Sequence, residues 1–424
     1  MQTFTKNRSA SRSPRELNEQ IMSHSEYDEN KQRVSEATSA DRFYEPKLSS
    51  YPNVSIEESD ENEEFYTPGS ENLYHCRMRI AKWSLKQTSR MHKGFRLFVK
   101  NNSLNEILME KRRVNALYST FCLNNSQSLT GRCISIVRVS PDDQAVAAGS
   151  WDGNTYILNS QDLSLRRVLY GNNSKIGGID WYYDSRIIAT SQSDGTINLF
   201  QYNTDTDTKN TETNNSRDSK LQGHNDRVAR LSFHPMGRYL ASASFDSTWR
   251  YWDVETQQQL LLQEGHTKPV FTVEHQPNGS LISSAGLDGI VKIWDLRLGK
   301  CISNLEGHMG SIYGSSWRYN GYELATASSD GSIKIWDMRM QKEKVSIPAH
   351  SKLISDVRLL DNVMISSSYD NTINIFSSDN WVKIKTIKGH TDKVMSCDIT
   401  KSGQSIFSSG WDRTIKLYKS AKEY

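Results

Sequence analysis

Gly223-His224, then Asp246 twenty-two residues after the histidine, then Trp252-Asp253, is a stretch that returns with its internal spacing intact. His266, Asp288 and Trp294 repeat it, and His308, Asp330 and Trp336 repeat it again. A unit recurring every 42 residues marks a repeat architecture, which outranks any local reading. With the aspartate as register mark there are seven copies: Asp152, Asp194, Asp246, Asp288, Asp330, Asp370 and Asp412. Their gaps are 42, 52, 42, 42, 40 and 42 residues. The long gap holds a polar insertion at 203–220. It belongs in an exposed loop, where extra length costs little closure entropy.

Around each mark the residue types recur as well. Six residues after the aspartate stands a large apolar side chain, and four before it stands Ser or Thr in every copy but the first. Between the marks lie short alternating or β-branched runs, such as YLASAS at 239–244 and IVKIW at 290–294, separated by Asp-Gly and Asn-Gly turn signals. Each unit therefore reads as four short antiparallel strands. One such sheet does not bury both faces alone, but a closed ring of them does. Gly-His, Asp and Trp-Asp at this spacing resemble the WD-repeat family. The fold class expected is all-β, a seven-bladed WD40 β-propeller over 121–424, preceded by a disordered tail and a short basic helical region. The C-terminus falls just past a third strand, and residues 121–128 (FCLNNSQS) are in phase to supply the missing outer strand of the seventh blade.

The recurring polar residues form a plausible network. A histidine can hydrogen-bond the turn aspartate through one ring nitrogen and the Ser/Thr hydroxyl through the other, and that hydroxyl can take the tryptophan indole N–H. The complete sets are His224, Ser242, Asp246 and Trp252; His266, Ser284, Asp288 and Trp294; and His308, Thr326, Asp330 and Trp336. The sixth and seventh units substitute Phe376 and Tyr418 for Trp. The first has Thr130, Ala148 and Leu158 and is expected to hold by packing alone. A catalytic reading of His, Ser and Asp fails because the set recurs in equivalent places, whereas a nucleophile site is single and open to substrate. No phosphate-binding loop and no metal-ligand cluster is read, so no cofactor, metal or small-molecule substrate is expected, and the chain is not read as an enzyme.

Ahead of the repeats the composition changes twice. Residues 1–72 are rich in Ser, Asn, Glu and Lys with no sustained periodicity, and read as disordered. They include a serine–arginine patch at 9–14 (SASRSP), a candidate for phosphorylation, and seven acids without a Lys or Arg from 57 to 71. Residues 73–120 read as helical and basic, with eleven Lys/Arg against two acids from 73 to 117. Arg77, Arg79, Lys82, Lys86, Arg90, Lys93 and Arg96 are candidates to bind RNA phosphates or an acidic partner, with Tyr74, Trp83, Phe95 and Phe98 interleaved. The bland alternative is a solvated basic helix whose aromatics pack on the ring. A second helix starts at Ser103, where S-L-N-E supplies a capping box, with Leu104, Ile107, Leu108 and Leu117 roughly on one face. Overall charge is nearly balanced, 52 basic against 49 acidic. The five cysteines show no C-x-x-C pair and no apolar run reaches membrane-spanning length, which points to a reducing compartment and no membrane.

The residues just before the register aspartates should project from one rim of the ring. They are Trp151, Ser193, Phe245, Leu287, Ser329, Tyr369 and Trp411, of which Trp151, Phe245, Tyr369 and Trp411 are the candidates for partner binding. Trp151 and Trp411 should lie side by side, since the first and seventh blades are neighbours. Less generic stretches narrow the resemblance. KIGGIDW at 175–181, SFDSTWR at 244–250, LLLQEGH at 260–266, IFSSDNW at 375–381, GHTDK at 389–393 and GWDRTIK at 410–416 are similar to the pre-mRNA processing factor four family, the WD-repeat subunits of the spliceosomal U4/U6 small nuclear ribonucleoprotein. That resemblance implies a nuclear, non-catalytic scaffold of the U4/U6 snRNP and the U4/U6.U5 tri-snRNP. Its implied partners are the splicing factor pre-mRNA processing factor three and, directly or indirectly, the U4/U6 snRNA. The alternative class is a WD40 adaptor or scaffold of a ubiquitin-ligase or signalling complex, which would call for an F-box-like module where this chain has its basic region.

Overall fold

The structure, a computed structural model, describes residues 69–202 and 219–421. The serine–arginine patch, nearly all of the acidic run and most of the 203–220 insertion lie outside those residues.

Among the described residues, twenty-eight strands, β1–β28, form seven four-stranded antiparallel sheets, and two helices precede them. Six sheets are contiguous in sequence. The first, for example, runs β2 (Ile134–Val139), β3 (Ala145–Ser150), β4 (Thr155–Asn159) and β5 (Leu165–Leu169). The seventh joins the two ends of the ring: β1 (Phe121–Ser128) pairs with β28 (Thr414–Ser420), then come β27 (Ser405–Gly410) and β26 (Val394–Ile399). Here β1 lies antiparallel to β28, from Phe121 opposite Ser420 to Ser128 opposite Thr414. The seventh blade is thereby completed by chain from the far end of the sequence, and no blade is left with an open edge where its fourth strand should be.

Burial explains why the repeat tolerates so little bulk in its second strands. β3, β11 (Tyr239–Ser244), β19 (Glu323–Ser328), β23 (Val363–Ser368) and β27 (Ser405–Gly410) are buried at every position. Alanine and serine dominate them, so adjacent sheets approach closely on both faces. Outer strands are largely exposed instead: β17 (Lys300–Leu305) exposes Lys300, Cys301, Ile302 and Asn304 and buries Leu305.

A one-residue bulge recurs in the innermost strand of every blade, for instance between Val228 and Arg230. The bulged residues are Ser135, Gly177, Ala229, Phe271, Tyr313, Ser355 and Met395, all of which line one mouth of the axial channel. A bulge re-aims a side chain out of the sheet alternation, and here it does so seven times around one opening.

The helices sit on the other face. In a four-stranded antiparallel blade, the turns joining strands one to two and three to four lie at the end opposite the register aspartates. α1 (Glu71–Asn101) is capped by Ser70, whose side chain accepts from the Leu73 amide. It buries a stripe of Leu73, Cys76, Ile80 and Ser84, the first three in a cluster with Tyr239, Tyr251, Leu260 and Leu296. Trp83 meets His234, in a first-to-second turn, edge to face at 5.3 Å. α2 (Leu104–Ser119) begins with the full capping box: Ser103 N–H donates to Glu106 Oε2 at 2.7 Å, and Glu106 N–H donates to Ser103 Oγ at 3.3 Å. It docks through Val114, Leu117 and Tyr118 on the sixth and seventh blades, with Lys111 paired to Asp379 at 3.0 Å. The face expected from the sequence is only partly the docked one. Leu104 and Leu108 are exposed because contact with the ring is confined to the C-terminal turns of α2.

Removing residues 121–128 strips the seventh blade of its outer strand. A variant lacking them should lose the cooperative melting transition of the ring by calorimetry; an unchanged transition would contradict this topology.

Candidate functional site

Three features are placed by this fold: the histidine clamps, the channel with its mouth, and the helical arm. In the third blade His224 Nδ1 lies 2.8 Å from Asp246 Oδ2 and Nε2 lies 2.7 Å from Ser242 Oγ, while Trp252 Nε1 donates to Ser242 Oγ at 2.8 Å. The indole N–H has no acceptor role, so the serine oxygen accepts from it and turns its own proton to Nε2. The network thus assigns the Nδ1–H tautomer, donating to the carboxylate. His266, Ser284, Asp288 and Trp294 repeat this at 2.6, 2.7 and 2.8 Å. His308, Thr326, Asp330 and Trp336 do so at 3.2, 2.8 and 2.9 Å.

Burial lowers the His224 pKa, against the pull of Asp246, and keeps the ring neutral. Burial alone would raise Asp246, but hydrogen bonds from His224 and Thr248 outweigh it and hold the carboxyl far below its usual range. Ser242, Ser284 and Thr326 are fully buried, so no hydroxyl of these sets reaches a substrate.

The other blades vary the theme. His350 bonds Asp370 at 2.9 Å and Ser366 at 2.8 Å, with Phe376 in the tryptophan position. His390 bonds Asp412 at 2.8 Å and Ser408 at 2.6 Å. The first blade does not rely on packing alone, contrary to the sequence expectation. Thr130 Oγ1 and the Tyr156 hydroxyl both donate to Asp152 Oδ2, at 2.8 and 2.7 Å. Tyr156 stands two residues before Leu158, on the same face of β4, and reaches the aspartate that no histidine serves.

The channel is lined by two stacked layers from the innermost strands. In the deeper one, side chains of one blade cap the backbone of the next. Asp180 accepts from Phe233 N–H at 2.6 Å, Ser232 from His275 N–H at 3.2 Å, Ser316 from Leu359 N–H at 3.0 Å, and Asp398 from Val139 N–H at 2.7 Å. Arginines answer the acids: Arg138 pairs with Asp356 at 3.0 Å and Arg358 with Glu274 at 3.3 Å. Burial, only partly offset by Arg358 and Arg138, pushes Glu274 up to about 7. Burial, opposed by the Phe233 amide and Arg358, pushes Asp180 up to about 6.

At the mouth, Trp151, Ser193, Phe245 and Tyr369 join the seven bulge residues around a cavity of about 260 Å³. Trp151 and Trp411 meet edge to face at 5.7 Å. Lys175 lies over Trp151 at 4.7 Å, Arg227 over Phe245 at 3.5 Å, and Lys393 over Trp411 at 4.6 Å. Leu287, Ser329 and Trp411 do not line this cavity; Trp411 stands behind Trp151. Sequence reading missed the bulge residues, although a signal was there: each stands 17 residues before its register aspartate, or 15 in the shortened sixth unit.

On the arm, Arg79, Lys82, Lys86, Arg90, Lys93 and Arg96 are exposed. Arg77 instead lies against the turn at Gly299, where an added Cβ would collide with its guanidinium. Trp83 is taken up by the ring, whereas Phe95 and Phe98 remain exposed. From Ser89 to Glu110 no residue is buried, so the segment bridges the two docked ends of the helical pair with its apolar and basic side chains in solvent.

A closed seven-bladed ring with buried histidine clamps defines a WD-repeat propeller. Residues 123–159, 163–201, 216–253, 257–295, 299–337 and 381–419 match the family described as WD domain, G-beta repeat. The first three strands of the sixth blade, at 354–377, fall outside these matches, yet the blade is a four-stranded sheet like the rest; its unit is two residues short, with Ala349 before the histidine and Phe376 for Trp. The chain is 49% identical over 85% of its length to the U4/U6 small nuclear ribonucleoprotein PRP4 of Saccharomyces cerevisiae, covering 78% of that protein. It is 39% identical over 43% of its length to an uncharacterized WD repeat-containing protein of Schizosaccharomyces pombe, covering 39% of it. To the U4/U6 small nuclear ribonucleoprotein PRP4-like protein of Arabidopsis thaliana it is 40% identical over 14% of its length, covering 10% of it. The chain belongs to the WD-repeat family and, within it, to the family of the U4/U6 small nuclear ribonucleoprotein PRP4.

Burial lowers His234, beneath Trp83, to about 4, and its hydrogen bond to the Gly279 carbonyl pulls only weakly the other way. A histidine with a depressed folded pKa contributes stability that is complete above its unfolded pKa of 6.5 and is lost as pH falls toward 4. Going from pH 7.5 to 5.5, this group alone should destabilise the protein by roughly 1 kcal/mol. His234→Gln should therefore be less stable than wild type at pH 7.5, with the gap narrowing by that amount at pH 5.5. Denaturant titrations at the two pH values check it; a constant gap refutes it.

Proposed function

We propose that this chain is a non-catalytic scaffold subunit of the U4/U6 snRNP and the U4/U6.U5 tri-snRNP, acting in pre-mRNA splicing in the nucleus. The observation that carries the reading is the extent of the likeness to PRP4. A match over 85% of the chain is longer than the ring from Phe121 onward, so it takes in residues of the helical region as well. Blades are common to many WD-repeat proteins; a basic helical arm docked on the turn face is a narrower character, and it stands where a ubiquitin-ligase adaptor would want its recruiting module.

Two surfaces serve this role. The arm, with Arg79, Lys82, Lys86, Arg90, Lys93 and Arg96 exposed among Phe95, Leu97, Phe98, Leu104 and Leu108, suits U4/U6 snRNA phosphates together with an apolar contact from a partner protein. The rim residues Trp151, Phe245, Tyr369 and Trp411 suit a second protein contact. On this reading the partner protein is the splicing factor pre-mRNA processing factor three. Neither surface calls for a cofactor, a small-molecule substrate or a membrane.

Purification of the tagged full chain from nuclear extract should enrich U4 and U6 RNA over other small RNAs. The RNA recovered should fall steeply as salt is raised, and it should fall further when Lys82, Lys86, Arg90 and Lys93 are each replaced by Glu. Absence of U4 and U6 from the purified particle would overturn the reading.

A further inference from the structure

The channel mouth has a floor as well as a wall. Arg230, from β10 (Val228–Phe233), is buried and borders both the mouth cavity and the deeper cavity of about 240 Å³ on the helix side. Its Nη2 lies 3.6 Å from Asp356, a carboxylate already held at 3.0 Å by Arg138. Its Nη1 has no hydrogen-bond partner among the described residues. Two arginines thus share one carboxylate, and a buried guanidinium donor is left unpaired, a costly arrangement unless an anion completes it.

The mouth above it contains no carboxylate. Its wall is aromatic and apolar, with Phe271 and Tyr313 on the fourth and fifth blades facing the small Ser135, Gly177 and Ala229 of the first three. The small residues leave the space that the large ones bound. Lys175, Arg227 and Lys393 cover the rim aromatics and add positive charge around the opening. Since both helices take the opposite face, no described segment of this chain covers the mouth.

We propose that the mouth receives an aspartate or glutamate side chain from an extended, apolar-flanked segment of a partner protein, its carboxylate meeting Arg230. The shape decides against an RNA strand. A carboxylate at the end of a slim side chain can descend through an apolar opening of about 260 Å³ to a single buried cation, whereas a backbone phosphate is flanked by riboses on both sides. Polar groups that are few and fixed at the base of an apolar pocket set orientation and specificity. The three rim cations steer the segment in before the buried contact forms. This inference rests on the reading of the rim as a protein-binding surface and deepens it by naming the chemistry of the partner.

The test is site-directed cross-linking in the full chain within its assembled particle. A p-benzoylphenylalanine replaces Ser193 in one preparation and Phe245 in another, and the cross-linked residues are mapped by mass spectrometry. The expected result is one protein segment with an Asp or Glu beside the cross-linked position. A short synthetic peptide of that segment should bind the purified chain, and changing its acid to the amide should weaken binding by roughly tenfold or more. Arg230→Gln should weaken it to a similar degree, and Lys393→Glu, at a half-buried rim position outside the core, should weaken it most at low salt. Cross-links to RNA, to a segment without acids, or to nothing at either position would overturn the proposal, as would a peptide indifferent to its acid. Loss of U4 and U6 RNA from the particle would remove the splicing role and leave an acid-specific mouth standing, so the two failures are distinguishable.

Discussion

A neutral imidazole with both nitrogens committed is the interaction on which the clamped blades depend. In the third blade it ties the loop before the first strand, through His224, to the second strand at Ser242 and to the turn at Asp246, while Trp252 joins from the third strand. Each bond constrains the next. The indole fixes the serine proton, the serine fixes the tautomer, and the tautomer presents an N–H to a carboxylate that burial would otherwise penalise. Loss of the histidine would leave a carboxylate and a hydroxyl unpaired in a dry setting, whereas the indole is dispensable, since His350, Ser366 and Asp370 hold together beside Phe376. That explains why its geometry is reproduced in the fourth and fifth blades to within a few tenths of an ångström. It also explains why the first blade, lacking the histidine, recruits Thr130 and Tyr156 to the same aspartate.

A scaffold held this rigidly is free to vary elsewhere, and the variation is concentrated. The seven bulge positions read Ser, Gly, Ala, Phe, Tyr, Ser and Met in blade order, against near-uniform Ser or Thr in the clamps. The fold therefore separates two jobs by position: clamps at the periphery of each turn, and an irregular opening on the axis. The helices complete the division by taking the opposite face. Their docked ends lie on the third and fourth blades and on the sixth and seventh, which leaves the bridge from Ser89 to Glu110 in solvent.

The repeat was legible because its marks are polar residues at fixed spacing, which survive where hydrophobic patterns blur. Hydropathy alone would have done worse. A strand such as Val363–Ser368 is buried on both faces and shows no alternation to read. The closing strand and the Trp151–Trp411 contact followed from the phase of the repeat. The Ser103–Glu106 box was readable because capping is local chemistry. What escaped was set by tertiary structure. A bulge leaves the spacing of the repeat unchanged, so the fixed offset of the mouth residues from the aspartates does not show that their side chains turn to the axis. Arg230 looks like any strand arginine until the ring closes around it. Leu104 and Leu108 fit a docked helix by period, yet the ring is absent at their end of α2, and Arg77 was drawn from the basic series to the turn at Gly299.

The central claim is that the recurrent histidines hold the blades while binding is carried by the surfaces that vary. Its most direct test is the His266→Ala variant of the full chain, with melting temperature and bound RNA measured on one preparation. The loss of one clamp member should cost about 1–3 kcal/mol. For a ring of this size that lowers Tm by roughly 1–2 °C per kcal/mol. The U4 and U6 RNA recovered per folded molecule, well below that Tm, should equal that of wild type. A variant that melts like wild type yet has lost its RNA would place a binding function on the clamp and contradict the account.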